Sequence, residues 1–226
     1  MNETYNVLLT FADNKTPGND GLPAEFYKQF WSLPGKQLTQ CLNYSFEYTV
    51  NKFPITSCYY FDTKKDRDKR FVKNWRPISL TNVDAKIGSK SIARRICKVL
   101  PTIIHSDQCA YVEDRLISDA LRTIDDVMWC TKMNKIPGWL VGIDFQKVFD
   151  SVNVELLIMA LEGFNFGQTF IKWIRTFYNG AKSSVINNGF TSHYFDLQRG
   201  ARQGDHRTCS FLLWKYCRFR YEKMWK

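Results

Sequence analysis

The sequence predicts an α+β fold in which helices outnumber strands. Three observations carry that prediction. Several stretches repeat apolar residues at helical spacing, a few short apolar or alternating runs have strand length, and Gly, Pro and Asn clusters punctuate both. At 226 residues the chain can bury a sizeable core, as one large domain or two small ones. A hydrophobic content of 44% with 15% aromatics excludes a mostly disordered chain.

Taken in order, Asn14–Gly21 (NKTPGNDG) is a turn cluster, and Pro23 opens a helix carrying Phe26, Tyr27, Phe30 and Trp31. Leu38–Tyr48 forms a further short helix. Lys64–Asn74 (KKDRDKRFVKN) is the densest charge run, with Lys64, Lys65, Arg67, Lys69, Arg70 and Lys73, and on its residues alone reads as a solvated loop. Lys86–Leu100 sets Ile87, Ile92, Ile96, Val99 and Leu100 among lysines and arginines, a basic amphipathic helix that Pro101 should close. Ile117, Ala120, Leu121, Ile124, Val127 and Met128 make Leu116–Met133 a long helix. Pro137-Gly138 ends it and launches Trp139–Phe145 (WLVGIDF), expected to be a buried strand. Glu155–Phe164 and Gln168–Tyr178 read as helices, the first capped by Asp150-Ser151. Ser183–Asn188 and His193–Leu197 read as strands around the hairpin signal Asn188-Gly189.

Charge and cysteines bound the function. Thirty-two Lys and Arg against 22 Asp and Glu leave +10, which points to a polyanionic partner, most simply a nucleic acid. No apolar run reaches transmembrane length, and Met1–Thr10 lacks the shape of a signal peptide, so an intracellular location and no membrane partner are expected. Cys41, Cys58, Cys97, Cys109, Cys130, Cys209 and Cys217 are an odd, irregularly spaced set, and His105, His193 and His206 are scattered. Metal-ligand spacing is absent, and the thiols are expected to be reduced and mostly buried.

Two places could carry chemistry. Asp144 falls at the C-terminal end of an apolar strand, where a carboxylate needs a partner or a metal. Taken alone it reads equally as a turn residue capping the next helix. Arg199–Asp205 (RGARQGD) spaces two glycines in a basic loop, so that Arg202 and Gln203 could face a phosphate or a base. A surface turn is an equal reading.

Longer blocks add a resemblance. NKTPGNDGLPAEFYKQFW, NWRPISLTNVDAKI at Asn74–Ile87 and IIHSDQCAYVEDRLI at Ile103–Ile117 resemble non-LTR (LINE-type) retrotransposon reverse transcriptases. GIDFQKVFDSV at Gly142–Val152, FNFGQTFIKWIRTFY at Phe164–Tyr178 and INNGFTSHYFDLQRGARQGD at Ile186–Asp205 do the same, in family order. The resemblance implies a right-hand polymerase fold with fingers and an incomplete palm but no thumb. Residues 1–57 would form a helical extension leading into the fingers, 58–138 the fingers, and 139–205 a partial palm with motifs A and B. It implies nucleotidyl transfer on an RNA template and DNA primer with Mg²⁺, in the cytoplasm and nucleus. By position, Asp144 and the backbone carbonyl of Phe145 resemble metal ligands, with Asp144 the first catalytic aspartate of motif A. Arg76 resembles the arginine that grips the triphosphate, Phe149 the steric gate beneath the sugar, and Gln203 the motif B glutamine. Lys64, Lys65, Arg67 and Arg202 would then follow nucleic-acid phosphates.

The departures shape the expected activity. Reverse transcriptases of this kind carry a Tyr/Phe-x-Asp-Asp turn after motif B. Here Asp125-Asp126 precedes Asp144 in a helical pattern and cannot serve. One carboxylate of three should not hold two hard cations, so a full two-metal site and polymerase activity are not expected of this chain. A non-catalytic RNA- or DNA-binding module derived from such an element is the alternative. Residues 206–226 leave the family pattern. Reading them in a shifted frame forces Glu at the Trp214–Lys215 codon junction, where the family wants one, so they are expected to be an out-of-frame tail.

Overall fold

The computed structural model describes residues 2–49, 56–63, 68–71, 74–110, 112–143 and 152–200. These form seven helices and a five-stranded mixed sheet: α1 (Asn2–Leu9), α2 (Ala24–Gln29), α3 (Gly35–Tyr48), β1 (Thr56–Thr63), β2 (Trp75–Thr81), α4 (Val83–Ile103), α5 (Ile117–Met133), α6 (Val154–Gly163), α7 (Gln168–Tyr178), β3 (Lys182–Asn187), β4 (Phe190–Thr191) and β5 (Phe195–Asp196). No helix among the described residues is long and apolar enough to cross a membrane.

Helix α4 is the spine of the packing. Its first turns place Val83 and Ile87 in one apolar cluster with Val7 and Leu8 of α1, Tyr27 of α2, Trp31, and Leu38 and Leu42 of α3. Its later turns place Ile92, Ile96 and Leu100 in a second cluster with Leu157, Ile158 and Leu161 of α6 and Ile171 and Ile174 of α7. Phe46 of α3 packs against both. Each fully buried Leu or Ile contributes about 1.5–3 kcal/mol, so the four-residue apolar rhythm of α4 stabilises two layers at once. Gly88 permits the close approach: a Cβ there would lie 2.6 Å from Leu42 Cδ2 and 3.2 Å from Phe177 Cζ. Pro101 lies inside α4 instead of closing it. In the last turn a proline forfeits one hydrogen bond, and the helix continues until the Ile104 N–H donates to the Leu100 carbonyl at 2.9 Å.

The sheet order is β2-β1-β3-β4, with β5 also paired to β3. Strand β1 runs antiparallel to β2, from Ser57 opposite Thr81 to Thr63 opposite Trp75, and parallel to β3, from Thr56 opposite Lys182 to Tyr60 opposite Ile186. Small polar side chains let β1 and β3 bury this face. The Ser57 and Ser183 hydroxyls meet at 3.2 Å, and Cys58 Sγ lies 3.0 Å from Ser184 Oγ, so the buried groups remain paired. Asn188 (φ 50°) and Gly189 (φ 81°) supply the two positive φ angles of a tight hairpin turn, as the sequence predicts. The strand after that turn is Phe190–Thr191, and the expected 193–197 strand shrinks to Phe195–Asp196.

Three further expectations are corrected, and one is met with an unexpected exposure. Trp139–Ile143 is no strand and is open to solvent, with Trp139 97% and Ile143 77% exposed. A strand exists through its ladder, and no described strand runs beside this segment. Helix α5 forms as predicted, yet buries none of its residues. The cap of α6 is Asn153, whose Oδ1 accepts from the backbone N–H groups of Glu155 (2.8 Å) and Leu156 (3.2 Å), three residues beyond the predicted Asp150. Among the described cysteines, Cys58 is buried whereas Cys41 and Cys130 are exposed and Cys97 and Cys109 intermediate, so "mostly buried" does not hold for them.

Candidate functional site

The charged run falls between two paired strands. Thr63 of β1 faces Trp75 of β2, so residues 64–74 form one hairpin connection. In its described portion the Arg70 guanidinium donates to both Asp68 oxygens at 2.8–3.1 Å and holds that exposed carboxyl below its usual range. Trp75 Nε1 donates to the Lys69 carbonyl at 2.8 Å, and Asn74 Nδ2 to the Asp68 carbonyl at 2.9 Å. Arg76 sits one residue into β2, its backbone opposite Asp62. Lys64, Lys65 and Arg67 lie outside the described residues.

A second junction joins parts of the chain far apart in sequence. Asn153, which caps α6, bridges Arg199 in antiparallel fashion, and the Gly200 N–H donates to the Val152 carbonyl at 2.8 Å. Gly200 has φ 100°, a conformation that favours glycine. The chain at Val152–Asn153 therefore runs beside the chain at Arg199–Gly200. Asp144, Phe145, Phe149, Arg202 and Gln203 themselves lie outside the described residues. Among the described residues, no three His, Cys, Asp or Glu side chains converge as a metal site.

Three arrangements escaped the sequence reading. Arg115 Nη1 donates to the carbonyls of His105 (2.5 Å) and Gln108 (3.0 Å), and its Nη2 to those of Pro101 (3.2 Å) and Ile104 (3.0 Å). One guanidinium thus ties off the C-terminal carbonyls of α4 and the following turn. The signal for it was an arginine shortly beyond a helix end, but its acceptors are backbone atoms and leave no pattern in the sequence. Second, Arg95 of α4 binds Glu3 of α1 through both carboxylate oxygens, at 2.9 and 2.6 Å. The same guanidinium lies 5.1 Å from the centre of the Trp173 ring. Arg95 holds the Glu3 carboxyl below its usual range, and Glu3 raises Arg95 in turn. Third, Asp84 in the first turn of α4 is pushed above the usual carboxylate range by burial and by the nearby Asp20, against the bond it accepts from the Ala85 N–H at 2.6 Å.

Residues 63–217 match the profile of the family described as reverse transcriptase (RNA-dependent DNA polymerase). Over 204 residues, 90% of this chain, the sequence is 32% identical to the "Transposon TX1 uncharacterized 149 kDa protein" of Xenopus laevis, covering 16% of that protein. Over 139 residues, 59% of this chain, it is 22% identical to the "Retrovirus-related Pol polyprotein from type-2 retrotransposable element R2DM" of Drosophila melanogaster, covering 12% of it. The chain thus spans less than a fifth of either relative.

Proposed function

We propose, because this chain belongs to the reverse transcriptase (RNA-dependent DNA polymerase) family, that residues 58–205 are the fingers and part of the palm of a LINE-type enzyme. The family match over residues 63–217 carries this reading. The bridge between Asn153 and Arg199 supports it, since nucleotide selection needs the segments around Asp144 and Gln203 side by side.

In this reading Arg76 meets the triphosphate of an incoming deoxynucleotide, Phe149 excludes a ribose 2′-hydroxyl by bulk, and Gln203 lines the base pocket. Asp144 and the Phe145 carbonyl are the residues that would hold Mg²⁺, the ion reverse transcriptases use to neutralise the triphosphate. Lys64, Lys65, Arg67 and Arg202 would balance phosphates of an RNA template and DNA primer, consistent with the net charge of +10. Residues 1–57 would form an extension of the fingers, and 206–226 a C-terminal tail whose first part, 206–217, falls within the family match.

Asp144 is a single carboxylate, so this polypeptide by itself should not extend a primer. The test is extension of oligo(dT) on poly(rA) with dTTP and Mg²⁺, beside Asp144→Ala. No extension by folded protein is the expected result. Extension that Asp144→Ala abolishes would overturn the proposed inactivity while supporting the residue assignment. The surplus charge supports a second reading as well, a non-catalytic RNA- or DNA-binding module, which predicts saturable binding without extension.

A further inference from the structure

Helices α1, α3, α4 and α7 line a half-open cleft of about 420 Å³, within the range that holds small organic ligands. Its walls include Leu42, Phe46, Ile92 and Trp173, with Arg95 and Lys172 beside them. Phe46 and Trp173 pack on each other in its wall, 5.4 Å apart at 39°, and both remain only half-buried. A second depression of about 440 Å³ is lined by Glu3, Asn6, Arg94, Arg95 and Lys98, so the two share Glu3 and Arg95.

The electrostatics of the pair is one-sided. Arg94, Arg95, Lys98 and Lys172 stand against Glu3 and Glu47. Arg95 and Glu3 neutralise each other in their two-point contact, and Arg95 is further held against Trp173. Arg94 and Lys98 are exposed one helical turn apart on α4, and Lys172 is exposed next to Trp173 on α7. An apolar recess with aromatic side chains in its wall, beside exposed cations, is the chemistry that receives a base and its flanking phosphates.

We propose that this double cleft holds one nucleotide of a single-stranded RNA, with its base in the Phe46–Trp173 recess and its flanking phosphates at Arg94, Lys98 and Lys172. A duplex keeps its bases stacked and paired and could not fill the recess, whereas an unpaired base can. The choice of RNA rests on the reverse transcriptase reading. The site lies on the helical layer and uses none of the residues assigned to nucleotide transfer. It would anchor a template outside the segments that contain Asp144 and Gln203.

The test is fluorescence anisotropy with a labelled oligoriboadenylate of about 12 nucleotides, within the roughly 4–16 that single-strand sites span. The full chain is titrated over a range of salt. Arg94→Gln with Lys98→Gln should reduce the salt slope by about 1.4, which weakens binding about 25-fold at about 0.1 M monovalent salt. Trp173→Leu, which keeps apolar bulk, should weaken binding about tenfold with the slope unchanged. Arg122→Gln with Lys132→Gln on α5 carries the same charge change elsewhere and should leave binding intact. Helix content by circular dichroism verifies folding of each variant.

An Arg94/Lys98 variant that binds like the parent chain overturns the site, as does an equal loss in the α5 variant. Single-stranded DNA of the same length binding equally well would overturn the RNA assignment. A parent chain that binds no RNA overturns this site and the binding-module reading together. Failure or success of primer extension is read separately and bears on the transfer residues alone.

Discussion

Replacing Arg115 by alanine should be the most damaging single change at a half-exposed position of the described fold. Arg115 donates to four carbonyls at 2.5–3.2 Å, two of them, Pro101 and Ile104, at the end of α4. A net hydrogen bond is worth about 0.5–1.5 kcal/mol, and more when the donor is charged. Residues His105, Ser106 and Asp107 are exposed, so water can replace part of what is lost. The expected cost is therefore about 2–4 kcal/mol, or roughly 4–16 °C in Tm for a domain of this size. Arg115→Lys keeps the charge but not the planar fork that reaches two pairs of acceptors, and should lose about half as much. Urea unfolding followed by helix circular dichroism measures both, and the slope m should not change. The reasoning is refuted if Arg115→Ala lies within about 0.5 kcal/mol of the parent, or if Arg115→Lys equals the parent.

Two smaller effects follow from single contacts. Asn153→Ala removes the acceptor for the Glu155 and Leu156 N–H groups and should cost about 0.5–2 kcal/mol, seen as a lower urea midpoint, whereas Asp150→Ala should change stability far less. Asp84 has a raised folded pKa, so the native state keeps its proton longer than the unfolded chain. Stability from this group is present below the ordinary Asp pKa and falls as pH rises through the folded value. Asp84→Asn should therefore raise the urea midpoint at pH 7 relative to the parent and flatten the decline just above the ordinary Asp range. An unchanged pH profile would count against burial as the cause.

How much was legible differs from element to element. Helices α3, α4, α5, α6 and α7 follow from apolar spacing in their own sequences, and the turn at Asn188-Gly189 follows from two residues that tolerate positive φ. Helix α1 escaped because eight residues carry little more than two turns of periodicity. The segment Trp139–Ile143 misled because an apolar run reports what could be buried, whereas a strand needs a partner. Asn153 and Asp150-Ser151 are all competent caps by type, and only the path of the backbone selects between them.

The sequence by itself determined the longer helices, the Asn188-Gly189 turn, the basic surplus and the family, since each depends on residue types within short, ordered blocks. Tertiary structure alone decided which distant groups meet. Ser57 found Ser183 across 126 positions, Asn153 found Arg199, Arg115 found four carbonyls, and Arg95 settled between Glu3 and Trp173. Periodicity is written by neighbours along the chain. Ladder partners, carbonyl acceptors and cavity walls are chosen by packing across it, where backbone atoms carry no side-chain signature and many pairings share one composition.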